Sequence, residues 1–173
     1  MEGNVVESGV VLKARNQYLA ENGWTVEAYD AAWTEATVFG VSIRVPNTAA
    51  HRRGIMLHDL HHVATGYGTD LIGEGEVSAW EMRRGFKNLG LYVSSIVFAG
   101  MMLGLAIAPR RTLAAWRVSG KGERSLFADE LDYPALLTST VLTLRERLHL
   151  PPEGLSAFPR RLHARAPQKT AAA

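Results

Sequence analysis

Between His58 and Glu74 the chain reads HDLHHVATGYGTDLIGE, a stretch dense in side chains that bind metal ions. Successive residues of an α-helix turn by about 100°, so His58 and His62 would stand one turn apart on one stripe with Asp59 beside them. Three candidate ligands then converge if the segment to Thr65 is helical. Gly66-Tyr67-Gly68-Thr69 lets the chain reverse, and Asp70 can open a second helix that carries Glu74 one turn in. Glu74 is the expected fourth ligand. Glu81 falls on nearly the same stripe as Glu74 and is placed to hydrogen-bond a ligand from behind. His61 lies on the adjoining face and reads as a polar neighbour or outer donor, not a ligand. Two imidazoles and two carboxylates suit a divalent ion, zinc first, with iron or manganese as alternatives.

Two other readings of these residues stay open. HDLHH is similar to the zinc-peptidase pattern HExxH with aspartate in the base position, but aspartate is one methylene shorter and Glu74 follows sooner than such a third ligand usually does. Four protein ligands would also saturate a tetrahedral zinc, which would make the site structural.

With 173 residues the chain is long enough for one domain with its own core. It has no cysteine, so thiolate sites, disulfides and cysteine nucleophiles are excluded. Nineteen basic residues against seventeen acidic ones leave a formal charge of +2, too little to point to nucleic acid. The opening MEGNVVESGV shows no basic or apolar leader, so a cytoplasmic protein is expected.

The elements that would position the site read as an all-α, single-domain helical bundle. A first helix is expected between Gly9 and Asn22 and a second from Val26 to about Ala36. Phe39 to Val45 alternates like a strand without an evident partner and is read as an extended linker. The histidine helix runs from Ala49 to Thr65, capped by Asn47 or Thr48, and the Glu74 helix from Asp70 to Gly85. Gly73 and Gly75 beside Glu74 suggest close helix approach.

Leu89 to Ala108 follows, twenty residues without a charge, enough for about 30 Å of helix. It has three glycines and is flanked by Arg83, Arg84, Lys87, Arg110 and Arg111. A lone span would put the two halves of the chain on opposite sides of a membrane. A central helix that lines a lipid pocket or lies at a membrane surface is therefore preferred, with the basic flanks meeting anionic headgroups. A short basic amphipathic helix from Arg110 to Val118 and a last helix from about Asp132 to His149 complete a domain over 1–152. Residues 153–173, rich in Arg, Pro and Ala, read as a flexible basic tail.

The pattern HDxxH, eleven residues, then Glu resembles the signature of the fourth coenzyme Q (ubiquinone) biosynthesis protein family. His58, Asp59, His62 and Glu74 match it position for position, and Gly66, Thr69 and Gly73-Glu74 fit the loop pattern. The resemblance covers most of Val10 to Pro152. It implies an all-helical fold and a divalent metal, commonly zinc, held by these four residues, which would also be catalytic. It implies a channel for a polyprenylated aromatic lipid, peripheral association with the inner face of the cell membrane, a homodimer, and partners in a quinone-synthesis complex. The implied chemistry is oxidative decarboxylation of a prenylated hydroxybenzoate, which replaces the ring carboxylate by hydroxyl. The non-catalytic alternative is a lipid-presenting scaffold whose metal only clamps two helices.

Overall fold

The computed structural model describes residues 10–85, 88–120, 124–128 and 130–156. In chain order these form α1 (Val11–Glu21), a 3-10 turn (Val26–Asp30), the strands β1 (Trp33–Val38) and β2 (Val41–Pro46), then α2 (Ala49–Thr65) and α3 (Leu71–Arg84). Next come α4 (Gly90–Ile107), α5 (Pro109–Val118), a short 3-10 turn (Leu126–Ala128), α6 (Tyr133–Thr138) and α7 (Val141–Arg147). The fold is all-α apart from one two-stranded hairpin.

Local chemistry fixes the ends of the two site-bearing helices. Thr48 Oγ1 caps α2 by accepting from the His51 amide, and Gly66, at φ 79°, ends it in the left-handed region that glycine enters freely. The Asp70 carboxylate caps α3 by accepting from the Gly73 amide at 2.8 Å. A Cβ on Gly73 would sit 2.1 Å from the Gly68 carbonyl oxygen, so the reversal can fold over the start of α3 only because Gly73 has no side chain. These features place Glu74 in the first turn of α3, beside the end of α2.

The core joins α1, α2, α3 and the C-terminal helices through Tyr18, Leu57, Leu60, Val77, Trp80, Leu126, Phe127, Leu144 and Leu148, all buried. Arg145 ties α7 to α2, its Nε donating to the Ala64 carbonyl at 2.9 Å. On the other side α3 packs against α4 with glycines face to face. A Cβ on Gly75 would lie 2.4 Å from Gly104 Cα, and one on Gly100 2.5 Å from Ser78 Oγ. Such contact needs small residues on both helices.

Several expectations are corrected. The segment after Asp30 is not helical. Trp33–Val38 pairs antiparallel with Val41–Pro46, in register from Trp33↔Pro46 to Val38↔Val41. The second strand's partner is the segment before it, joined by a two-residue turn at Phe39 and Gly40 with φ of 49° and 80°. The helix expected from Asp132 to His149 is two, because the chain is extended at Ser139 and Thr140.

The apolar helix is not central either. It turns its glycine stripe to α3, and only Val93, Val97 and Gly104 of α4 are buried, while Leu91, Phe98 and Met102 are exposed. Its inner edge does border an apolar cavity of about 220 Å³, shared with α3 and α5 and lined by Ala79, Met101, Leu105, Thr112, Leu113 and Trp116. Gly90–Ile107 is long and apolar enough to cross a membrane by length and composition, and it is mostly exposed.

Two of the flanking arginines are engaged inside the protein. Arg84 is buried over the Trp80 ring and donates to the Leu148 carbonyl, and Arg111 makes a two-pronged pair with Glu76 at 2.9 and 2.6 Å. Lys87 and residues 157–173 of the expected tail lie outside the described residues. The start of that tail is docked, the amides of Leu155 and Ser156 both donating to the Thr65 carbonyl.

Candidate metal centre

Helix α2 presents His58 and His62 one turn apart, and α3 brings Glu74 to them. His58 Nε2 lies 3.1 Å from His62 Nε2 and 3.2 Å from Glu74 Oε2, and His62 Nε2 lies 3.6 Å from Glu74 Oε1. Among the described residues these three form a group that could hold a metal ion. The ring protons decide what kind of atoms meet there. His62 Nδ1 is 3.1 Å from the Tyr67 carbonyl oxygen, which only accepts, so that nitrogen carries the proton. His58 Nδ1 is 2.8 Å from Glu81 Oε1, a carboxylate acceptor, so it carries one too.

With a proton on each Nδ1, the two Nε2 atoms are the positions that present lone pairs toward Glu74 when the rings are neutral, and a proton on His58 Nε2 is what a cation would displace. Three acceptors this close repel one another unless a proton or a cation sits between them. Tetrahedral zinc with ligands at about 2.0–2.2 Å sets its donors about 3.3 Å apart, close to the separations found. The donor set and its spacing fit a divalent ion.

The electrostatics agree. Burial works against a charged His58, but Glu81 and Glu74 outweigh it and hold the imidazole well above its ordinary pKa. Burial likewise opposes the charge on Glu74, yet His62 and His58 pull its carboxyl well below the usual range. Glu81 is fully buried, and the attraction of His58 overrides that burial to bring it down to about 2. The site is thus poised for a bound positive charge. It is not closed: the side chains of His58 and Glu74 retain 22% and 34% of their exposure, whereas His62 has none, so access is from the His58 and Glu74 side.

Of the four residues expected to converge, Asp59 does not. Its carboxylate is buried and turned to α1 and the first 3-10 turn, accepting from Tyr29 Oη at 2.5 Å and Tyr18 Oη at 3.3 Å. The 100° step from His58 carries it past the ligand stripe, where two phenols meet it. Burial raises its pKa, against the Tyr29 hydrogen bond. Asp59 is linked to the site by hydrogen bonding through Tyr18, whose ring stacks on His62 at 5.6 Å between centroids, and its charge also acts on His58, His62 and Glu74.

Glu81 stands where its spacing suggested, behind His58. Tyr18, Tyr29 and the Tyr67 carbonyl were not legible as parts of the site. Tyr67 could have been found, since it lies inside the motif, but the two N-terminal tyrosines carry no spacing signal. Comparison with protein-family models, with curated proteins and with solved structures gives no match to this chain.

Proposed function

We propose that this protein is a metal-dependent enzyme of ubiquinone biosynthesis, an oxidative decarboxylase of a prenylated hydroxybenzoate that works at the inner surface of the cell membrane. The reading rests on the HDxxH, eleven residues, Glu resemblance, and one observation supports it as an enzyme: three donors converge and the fourth expected ligand is turned away. Zinc sites with three protein ligands keep a position for substrate, whereas saturated ones are structural. A bound divalent ion would supply Lewis acidity and positive charge for a ring carboxylate.

The chain's own residues would then divide the work. His58, His62 and Glu74 hold the ion, with Glu81 and the Tyr67 carbonyl fixing the two ring tautomers. Access from the His58 and Glu74 side admits the head group, and the exposed apolar side of α4 rests in lipid, from which a prenylated substrate would come. The cavity bordered by Met101, Leu105 and Trp116 offers apolar surface for part of a tail. The net change takes a ring carboxylic acid and one oxygen atom to a phenol and carbon dioxide, a two-electron oxidation. A terminal oxidant is needed with any of the three metals: with dioxygen the balance is acid, water and dioxygen to phenol, carbon dioxide and hydrogen peroxide. Zinc, being redox-inert, would only polarise the carboxylate, whereas iron or manganese could also relay the electrons.

The scaffold reading keeps one observation in its favour: the donors come from two successive helices, so an ion would also clamp α2 to α3. The hydrolase reading loses support, because Asp59 is committed to Tyr18 and Tyr29 and does not face the donors. The deciding experiment supplies metal-loaded protein with a prenylated hydroxybenzoate in vesicles under air and follows phenol and carbon dioxide by mass spectrometry. Turnover that disappears in Glu74→Ala supports the enzyme. Tight metal and lipid binding with no product under any of the three metals supports the scaffold and refutes the decarboxylase.

A further inference from the structure

His61 has so far no part in the proposed chemistry, yet it is fully buried beside the ligands. Its ring lies edge-on to Trp80 and Phe127, with centroids 5.1 and 4.7 Å away. An apolar side chain of similar size would fill that slot and lose only polar contacts. The polar contacts are specific. The Leu126 amide donates to His61 Nε2 at 3.0 Å, and because an amide only donates, the ring proton must sit on Nδ1. That proton points at Glu81 Oε1, 2.7 Å away, the same oxygen that accepts from His58 Nδ1 at 2.8 Å. Glu81 Oε2 has no hydrogen-bond partner among the described residues. Both hydrogen bonds found on this buried carboxylate therefore come from imidazoles and meet on one oxygen.

We propose that His61 is a positioning residue of the metal centre: a chain from the Leu126 amide through His61 to Glu81 pins one carboxylate oxygen against His58 and so keeps His58 Nε2 aimed at His62 and Glu74. The Leu126 amide sets the tautomer of His61, His61 sets the rotamer of Glu81, and Glu81 sets the tautomer and tilt of His58. The segment 124–128 is wired to the site by this route. It is itself anchored where Ser125 Oγ donates to the Gly85 carbonyl at the end of α3. Outer partners of this kind typically change metal affinity by about 10- to 100-fold when removed.

This inference rests on the metal-site reading, and its test separates the two. Full-length wild type, His61→Leu and His61→Asn are titrated with Co2+ against a competing chelator, and the visible spectrum of each complex is recorded. Leucine keeps the bulk and loses the N–H, while asparagine can still direct an N–H at Glu81. The expected result is one Co2+ on the wild type, affinity lower by about 10- to 100-fold with an altered spectrum for His61→Leu, and substantial recovery in His61→Asn.

Imidazole 15N spectra of the metal-free wild type give a second readout that does not depend on either variant folding. They should show His61 neutral with its proton on Nδ1. Wild-type binding that His61→Leu leaves unchanged, or a His61 proton on Nε2, overturns the positioning role alone. A wild type that binds no Co2+ overturns the metal-site reading itself.

Discussion

Replacing Gly75 by alanine sets two effects against each other. Helix propensity alone favours the change by about 1 kcal/mol, since glycine is that much worse than alanine in a helix interior. Against this, the new Cβ would lie 2.4 Å from Gly104 Cα and 3.2 Å from Gly104 N, both backbone atoms that cannot rotate aside. Restoring ordinary contact requires α3 and α4 to part by about 1 Å, and overpacking of this sort costs about 1–3 kcal/mol or more. Taking the upper figure, the net loss is about 2 kcal/mol, or roughly 4–8 °C in Tm for a domain of this size.

Gly104→Ala probes the same contact from the other side, its Cβ meeting Gly75 Cα at 2.6 Å, so the double substitution should cost clearly less than the two singles combined. Gly54→Ala is the control. It gains the same propensity and meets no backbone atom, only the Val93 Cγ1 methyl at 2.9 Å, so it should cost less than Gly75→Ala. Urea unfolding of the four variants beside the wild type measures all of this. A Gly75→Ala protein more stable than wild type, with Gly104→Ala additive to it, would refute the close-approach reasoning. Because Gly75 follows Glu74, the same variant should also weaken metal binding.

Asp59→Asn, which still offers an oxygen to one phenol, should retain metal within a few-fold and lose stability; loss of the ion comparable to that in His62→Ala would make Asp59 a ligand. Leu91→Ser with Phe98→Ser removes two exposed apolar groups of α4 and should weaken sedimentation with anionic vesicles by about 3 kcal/mol, roughly 100-fold, whereas unchanged binding would remove α4 from the membrane contact. Metal uptake should release protons and weaken as pH falls, since the ion displaces the proton that Glu81 and Glu74 favour on His58; a pH-independent affinity between pH 5 and about 8 would contradict this.

The elements that carry the donors were legible because their signals are local. A Thr48 cap, a Gly66 stop, an Asp70 cap and a one-turn His58–His62 spacing are written within a few residues of where they act. The glycines of α3 and α4 also announced close packing, although Gly73 serves the turn and only Gly75 the helix contact. What escaped depends on distant partners. Whether Asp59 joins His58 or turns away is decided by Tyr18 and Tyr29, some forty and thirty residues earlier, and nothing in the spacing encodes that meeting. The hairpin was missed because Trp33 to Val38 follows a plausible helix start, and only pairing across Phe39-Gly40 shows it as a strand. The exposure of α4 was hidden for a related reason, since composition cannot say which side of a uniformly apolar helix finds a neighbour.

Native mass spectrometry of full-length protein purified without added metal, beside His62→Ala and Glu74→Ala, tests the central claim most directly. The account predicts one divalent ion per wild-type chain and none, or a greatly weakened one, in either variant. A wild type that takes up no zinc, iron or manganese, or a His62→Ala protein that keeps its ion undiminished, would contradict it.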